Sequence, residues 1–227
     1  MSTIAASSNA QRLALFYREV IGKKIAMALS GVVLFGYVVI HMAGNLQLFA
    51  GREQINDYAA KLHSSAPVLW GARAVLLTAV IVHIYTAIAL TRLSYAARPD
   101  GYRKKGHRHS NLPARTMLWS GMVLAAFIVF HLLHLTTGTA HPQFQDLKPY
   151  DNMVAGFQMP VVALFYVISV VLLGAHLYHG AWSMFQSLGI SHPRYTPALR
   201  KFAVVFAFLL TVGFAVVPLA VLFGVVR

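Results

Sequence analysis

Long apolar runs separated by short polar segments divide this chain into five candidate membrane helices. A helix needs about 20 apolar residues to cross the hydrocarbon core, because each residue adds about 1.5 Å. Five runs reach this length. The pattern therefore predicts an all-α, five-helix transmembrane bundle formed by a single domain, residues 1–227, with spans at residues 25–49, 72–93, 116–137, 157–185 and 202–225.

The segments around the spans predict smaller features. Residues 11–20 mix apolar and charged side chains, which suits a helix lying at the membrane interface. The polar variety of residues 50–71 indicates a short helix outside the bilayer, whereas residues 94–113 form a basic loop. The fourth span is expected to end near Gly189, a residue typical of helix C-termini, and Pro218 is a candidate kink in the fifth.

Composition narrows the function classes. Hydrophobic residues make up 58% of the chain and charged residues 11%, so we expect no second, water-soluble domain. The chain has no cysteine, which excludes disulfides, cysteine-bound iron–sulfur clusters and a cysteine nucleophile within it. Any metal bound by this chain must therefore rest on histidine.

The net charge of +13 is unevenly distributed between the two sides of the predicted bundle. With the N-terminus inside, fourteen Lys and Arg residues lie on the cytoplasmic side and five on the other. The positive-inside rule explains this asymmetry without nucleic acid as a partner. We expect a multi-pass protein of the bacterial cytoplasmic (inner) membrane with its C-terminus outside.

Four histidines fall inside the apolar spans, where a polar ring needs a partner. Two of them follow a Ser-Gly step by ten residues, and the other two are each followed by an apolar residue and a tyrosine. The first kind comprises His41 after Ser30-Gly31 and His131 after Ser120-Gly121, and the second comprises His83 and His176.

Counting residues from the cytoplasmic boundary groups these histidines by depth. His41 and His131 both lie about 24 Å above that boundary, and His83 and His176 about 14 Å above it. Two imidazoles on opposite helices at one depth form the axial ligand set of a six-coordinate b-type haem, whereas structural zinc prefers four clustered ligands. The sequence therefore predicts two haem b groups, the inner one on His83 and His176 and the outer one on His41 and His131.

Further residues are expected around these haems. The two glycines fall near the depth of the inner haem, where their lack of a side chain would let a macrocycle approach, and the adjacent serines could reach a propionate. Two more histidines follow candidate ligands by three residues and suit contacts around the haem better than ligation. The expected haem environment is Ser30, Gly31, Ser120, Gly121, His134 and His179. We place His63, His141 and His192 in loops.

The residues resemble those of a known family over nearly the whole chain. That family is the five-helix, di-haem cytochrome b membrane anchor of succinate dehydrogenase and fumarate reductase, respiratory complex II. The resemblance rests on His41-Met-Ala-Gly-Asn45, on Phe127-Ile-Val-Phe-His131 and most of all on His176-Leu-Tyr-His-Gly-Ala-Trp-Ser183. His83 also falls where the family has a ligand. The resemblance implies that the His83 and His176 haem is proximal to the cytoplasm.

The resemblance also implies partners and a substrate. A flavoprotein with covalently bound FAD and an iron–sulfur protein would dock on the cytoplasmic face, and electrons from succinate would pass through both haems to a membrane quinone, which we expect to be menaquinone. Succinate chemistry would belong to the partners. Polar residues near the outer haem are candidates for the quinone site, namely Asn45, Gln47, Arg52, Tyr58 and His63.

Other interpretations remain open at the level of sequence. Some fumarate-reductase relatives carry a glutamate where this chain has Gly174, so we favour succinate oxidation, although the physiological direction and any trimer of the complex are undecided. The chain could also be the cytochrome b anchor of a hydrogenase or formate dehydrogenase. A non-redox transporter with proton-relaying histidines is the alternative from another class.

Overall fold

The computed structural model describes residues 19–97, 112–190 and 192–227, and side chains in the second range from residue 116. The predicted interfacial segment at residues 11–18 and most of the basic loop, residues 98–111, lie outside the described residues. The helices within the described ranges are α1 (Val20–Leu46), α2 (Arg52–His63), α3 (Ala66–Ala96), α4 (Leu112–Leu135), α5 (Pro149–Phe157), α6 (Pro160–Ser187) and α7 (Thr196–Leu222), with a 3₁₀ turn at Gln47–Ala50.

Five of these helices, α1, α3, α4, α6 and α7, are long and apolar enough to cross a membrane. Within their most apolar windows only 11% to 33% of the residues are buried inside the protein. Most of their apolar side chains therefore face outwards, as a lipid environment requires. The predicted all-α fold with five membrane-length helices is confirmed for the described residues.

The ends of α6 show how individual residues set helix boundaries. Pro160 occupies the first turn of α6, where a missing N–H costs nothing, so the helix starts there and not at Phe157. Phe157 instead ends α5, a short helix that the hydrophobic pattern did not predict. At the other end, Gly189 has a left-handed backbone with φ 75°, which terminates α6 as expected.

The membrane helices pack as two pairs joined by a fifth helix. α3 packs mainly against α1, α4 packs mainly against α6, and α7 lies against both α6 and α1. By contrast, α3 and α6 have few close backbone contacts, and the same holds for α1 and α4. α1 also contacts α6, so the two pairs meet along these two helices, while a seam remains between α3 and α6 and between α1 and α4.

The end of the bundle that carries α2 and α5 is closed by side-chain contacts, and we call it the outer end. Arg52 and Asp151 form a salt bridge of 2.6 Å between α2 and α5. The Tyr150 hydroxyl donates a hydrogen bond to the Arg227 carbonyl at 3.0 Å. Beneath these polar contacts lies an apolar core that includes Leu48, Ile55, Met153, Phe157, Tyr166, Val217 and Val221.

Candidate functional site: two histidine pairs

His83 on α3 and His176 on α6 face each other across the seam and form what we call the inner pair. Their ring centroids are 6.3 Å apart, with an angle of 58° between the ring planes. Both side chains are only partly buried, although both helices are apolar. These two imidazoles therefore meet where the two backbones do not pack.

His41 on α1 and His131 on α4 form the outer pair, nearer to α2 and α5. Their ring centroids are 5.6 Å apart and their planes are nearly perpendicular, at 84°. The Tyr37 ring stacks on His41 at 5.3 Å, and the Phe127 ring lies 5.8 Å from His131. The outer pair is thus lined by aromatic side chains from the helices that carry it.

Two serines favour one tautomer of each inner imidazole. The single Ser30 hydroxyl proton is shared between the Ala26 and Met27 carbonyls at 2.8 and 3.0 Å, which leaves an oxygen lone pair for His83 Nδ1, 3.3 Å away. This arrangement favours a proton on His83 Nδ1 and an unprotonated Nε2. Ser120 donates to the Met117 carbonyl and lies 3.4 Å from His176 Nδ1, which repeats the arrangement.

The glycines that follow these serines lie against the same imidazole rings. A Cβ built on Gly31 would lie 3.7 Å from His83 Cε1, and one built on Gly121 would lie 3.7 Å from His176 Cε1. Both glycines therefore sit at the level of the inner pair, each on a helix that does not carry the histidine it touches. Here they give the ring close access to helix backbone.

The outer pair is supported by a tyrosine that sequence reasoning did not identify. The Tyr166 hydroxyl on α6 lies 3.4 Å from His131 Nδ1 and 3.0 Å from His134 Nδ1. Tyr166 falls ten residues before His176, about 15 Å towards the outer end, so the same depth counting could have placed it level with His134, one helical turn beyond His131. His134 thus reaches the outer pair through Tyr166.

His141, placed in a loop from the sequence, is buried beside this cluster. Its ring stacks on His134 with centroids 4.8 Å apart. His141 Nε2 donates to the Asn152 carbonyl at 2.9 Å, and its Nδ1 accepts from the Gln143 N–H at 3.2 Å. His141 is therefore a structural residue that ties the loop before α5 to the bundle. A loop of irregular sequence gives no periodic signal for such burial.

The candidate quinone residues are dispersed around the outer end. Tyr58 on α2 is half-buried and touches Gly44, on which a Cβ would lie 3.0 Å from the Tyr58 ring. Asn45 and Gln47 are partly buried at the end of α1 and in the 3₁₀ turn. Arg52 is engaged with Asp151, and the exposed His63 donates from Nδ1 to the Ala59 carbonyl at 2.8 Å. Of these residues, Tyr58 and Asn45 lie closest to His41. Asn45 follows His41 by four residues on α1, and Tyr58 touches Gly44, three residues after His41.

The last predicted residue of the haem environment, His179, lies on α6 one turn beyond His176 and is partly buried. Among the described residues, no group of three or more His, Asp or Glu side chains is arranged to hold a metal ion. Each pair brings together two imidazoles from two different helices. No family model, curated protein or solved structure matches this chain.

Proposed function

We propose that this chain is the cytochrome b membrane anchor of a succinate:quinone oxidoreductase. In this proposal it holds two haem b groups and conducts electrons from an iron–sulfur subunit on the cytoplasmic face to a quinone in the membrane. The observation that carries the proposal is the pair of facing histidine sets, each spanning two helices whose backbones do not pack together.

The ring separation of the inner pair suits a metal ion held between the two imidazoles. An imidazole nitrogen binds a first-row metal at about 2.0–2.1 Å, so two imidazoles that bind one ion from opposite sides would have their ring centroids about 6.4 Å apart. The inner pair, at 6.3 Å, matches this value, whereas the outer pair, at 5.6 Å, would have to open slightly to admit the ion. Two protein ligands per metal fit haem, whose macrocycle supplies the other four.

The hydrogen bonds on the far side of the rings support the same interpretation. A ligating histidine usually donates its second ring N–H to a neighbouring acceptor, which fixes the tautomer and orients the ring. Ser30 and Ser120 provide such acceptors to His83 and His176. These serines therefore favour the tautomer in which Nε2 is available for a metal.

A bound b haem would supply a one-electron centre whose potential depends on its axial ligands and surroundings. The protein's own part is to hold the imidazoles at fixed separation and to keep water away with apolar side chains. The closed outer end, with its salt bridge between Arg52 and Asp151, limits access of water to the outer pair from that side. Quinone would then enter from the lipid, near Tyr58 and Asn45.

The proposal is tested by isolating the full complex from haem-replete cells and measuring haem content and visible spectra. We expect two protohaems per chain with low-spin, bis-imidazole spectra, and His83→Ala or His176→Ala should remove one of them while His41→Ala or His131→Ala removes the other. His192→Ala, an exposed residue between α6 and α7, is the matched control and should retain both. A wild-type chain without haem would contradict the proposal.

The proteins that co-purify separate the proposal from its alternatives. A flavoprotein with covalently bound FAD and an iron–sulfur protein are the partners that we expect. If the chain carried haem but co-purified with a hydrogenase or a formate dehydrogenase, it would be the anchor of that quinone-linked enzyme and not of complex II. A protein without a Soret band would instead favour a transporter whose membrane histidines relay protons.

A further inference from the structure

Tyr166 lies between two histidines and has one proton to share. Its hydroxyl is 3.0 Å from His134 Nδ1 and 3.4 Å from His131 Nδ1. A phenol donates a single hydrogen bond and accepts others, so at most one imidazole can accept the Tyr166 proton, and an imidazole that does not accept it can bond to Tyr166 only by donating to its oxygen. The two histidines therefore cannot adopt their tautomers independently.

The surroundings leave little room for water to relieve this constraint. Tyr166 is 5% exposed and His134 is 3% exposed. The His134 ring is stacked between Phe130, at 5.3 Å, and His141, at 4.8 Å. Since His141 already uses both ring nitrogens in hydrogen bonds, it cannot substitute for Tyr166 as a partner of His134.

The geometry indicates the direction of donation. The shorter of the two distances, to His134, suits the stronger O–H donor of the phenol, and the longer one suits an imidazole N–H that donates to the phenol oxygen. His131 then carries its proton on Nδ1, and its Nε2 is unprotonated. The serines favour this same tautomer in the inner pair.

We propose that Tyr166 and His134 are positioning residues that together hold His131 in the tautomer with unprotonated Nε2. Tyr166 accepts the His131 Nδ1 proton, and His134 keeps the Tyr166 proton turned away from His131. The purpose of this arrangement, to prepare a metal ligand, rests on the proposed function. The tautomer itself can be measured without any haem.

The arrangement predicts an unusual order of mutational effects. In His134→Leu, Tyr166 loses one of its two hydrogen-bond partners, so its proton should turn to the other, His131 Nδ1, and move the His131 proton to Nε2. In Tyr166→Phe, the donor that forces this reversal is absent, although the His131 Nδ1–H loses its acceptor. Replacing His134, which acts on His131 through Tyr166, should therefore harm the outer pair more than replacing Tyr166, the direct partner of His131.

The double variant distinguishes this mechanism from simple loss of packing. If His134→Leu acts only through Tyr166, the double variant should behave like Tyr166→Phe alone. If the two substitutions instead disturb packing independently, their effects on the outer pair should add. His134→Gln retains an acceptor for the Tyr166 proton and should keep the wild-type tautomer. Phe130→Leu is the matched control, because it alters the packing of both His134 and Tyr166 but leaves their hydrogen-bonding groups in place.

The experiment uses the full chain, labelled with ¹⁵N-histidine and placed in lipid nanodiscs. Nitrogen chemical shifts report which ring nitrogen of His131 is protonated, and thermal unfolding shows that each variant is folded. We expect Nδ1–H in the wild type and His134→Gln, Nε2–H in His134→Leu, and a mixture of the two tautomers in Tyr166→Phe, where neither the acceptor nor the opposing donor is present. Should His134→Leu fail to fold, His134→Met serves in its place, because a flexible thioether fills the gap and is at most a weak acceptor.

The full complex provides the second measurement, in which haem occupancy of the outer pair should fall most in His134→Leu and recover in the double variant. An unchanged His131 tautomer in folded His134→Leu and His134→Met would overturn the inference even where both haems are bound. If the His131 tautomer reversed in His134→Leu but the wild-type chain bound no haem, the inference would be supported and only the proposed function would be contradicted.

Discussion

At the level of single residues, the two Ser-Gly steps support the histidines of neighbouring helices. In each step the serine oxygen faces an imidazole Nδ1 and the glycine gives the ring access to helix backbone. The sequence predicted the depth of these residues, but it assigned the serines to a haem propionate. The hydrogen bonds to His83 and His176 give the hydroxyls a second role that spacing alone could not reveal, because it depends on rotamers.

Substitutions at Gly31 should separate tolerated from disruptive side chains. A Cβ there would lie 3.7 Å from His83, which is ordinary van der Waals contact, so Gly31→Ala should keep both haem spectra. Gly31→Leu carries three more carbons towards the imidazole and should shift or abolish the spectrum and midpoint potential of the inner haem first. Redox titration of the isolated complex measures this difference.

The matched control for this substitution lies on the same helix. A Cβ on Gly36 would meet nothing within 4 Å, so Gly36→Leu should leave both haems unchanged. If Gly31→Leu altered only the outer haem, the assignment of Gly31 to the inner pair would be wrong.

Part of the site could be predicted from individual residues and part could not. Histidines in apolar helices stand out because polar rings are rare there, so His41, His83, His131 and His176 were identifiable from hydropathy and depth. Tyr166 was overlooked because tyrosine is common in membrane helices, although its depth lies within one helical turn of His131 and matches that of His134. The burial of His141 depends on the folding of a loop around Asn152, for which the sequence has no periodic pattern.

At the level of helices, the bundle contains two similar units. α1 with α3 and α4 with α6 each combine a helix that carries a Ser-Gly step and an outer histidine with a helix that carries an inner histidine. The units differ ten residues before the inner histidine, where α3 has Arg73 and α6 has Tyr166. Hydropathy was sufficient to predict the long helices, whereas the nine residues of α5 are too few for a reliable pattern.

Gly174 is a point of close contact between α6 and α7. It is buried, and a Cβ there would overlap Thr211 Oγ1, which donates to the Ala207 carbonyl at 2.7 Å. Gly174→Ala should therefore lower the stability of the folded chain by about 1–3 kcal/mol through overpacking. A glutamate, found here in some relatives of the resembled family, would be still less well accommodated. Thermal unfolding in detergent measures the loss.

Two further variants identify the cause of that loss. A Cβ on Gly180, also on α6, would meet nothing within 4 Å, so Gly180→Ala should not destabilise the chain. Thr211→Ala removes the overlapping oxygen and should make Gly174→Ala milder when the two are combined. If Gly174→Ala lowered the stability of the chain equally in the wild type and in Thr211→Ala, the loss would not be caused by contact with Thr211.

At the level of the whole molecule, burial and polarity are distributed unevenly. The described apolar core lies at the outer end, where α2 and α5 cover the ends of the membrane helices, whereas the sides of the bundle expose large apolar residues. Such a surface is suited to lipid and not to water. The sequence predicted the membrane class from composition, but the closure of the outer end depends on contacts between segments distant in sequence, such as Arg52 with Asp151.

The charge distribution predicts an orientation of the molecule in the membrane, and this prediction can be tested without altering native cysteines, of which there are none. Five spans place the two ends of the bundle on opposite sides, and the positive-inside rule assigns the loop before α7 to the cytoplasm and the loop before α5 to the outside.

Because the chain has no cysteine, single-cysteine variants give no background labelling. In intact bacterial cells, a membrane-impermeant maleimide should label Lys148→Cys at once and Arg194→Cys only after permeabilisation. Both parent residues are exposed, so differences in burial do not account for such a result. The reverse pattern would place the outer pair on the cytoplasmic side and would require partner subunits to dock at the end closed by α2 and α5.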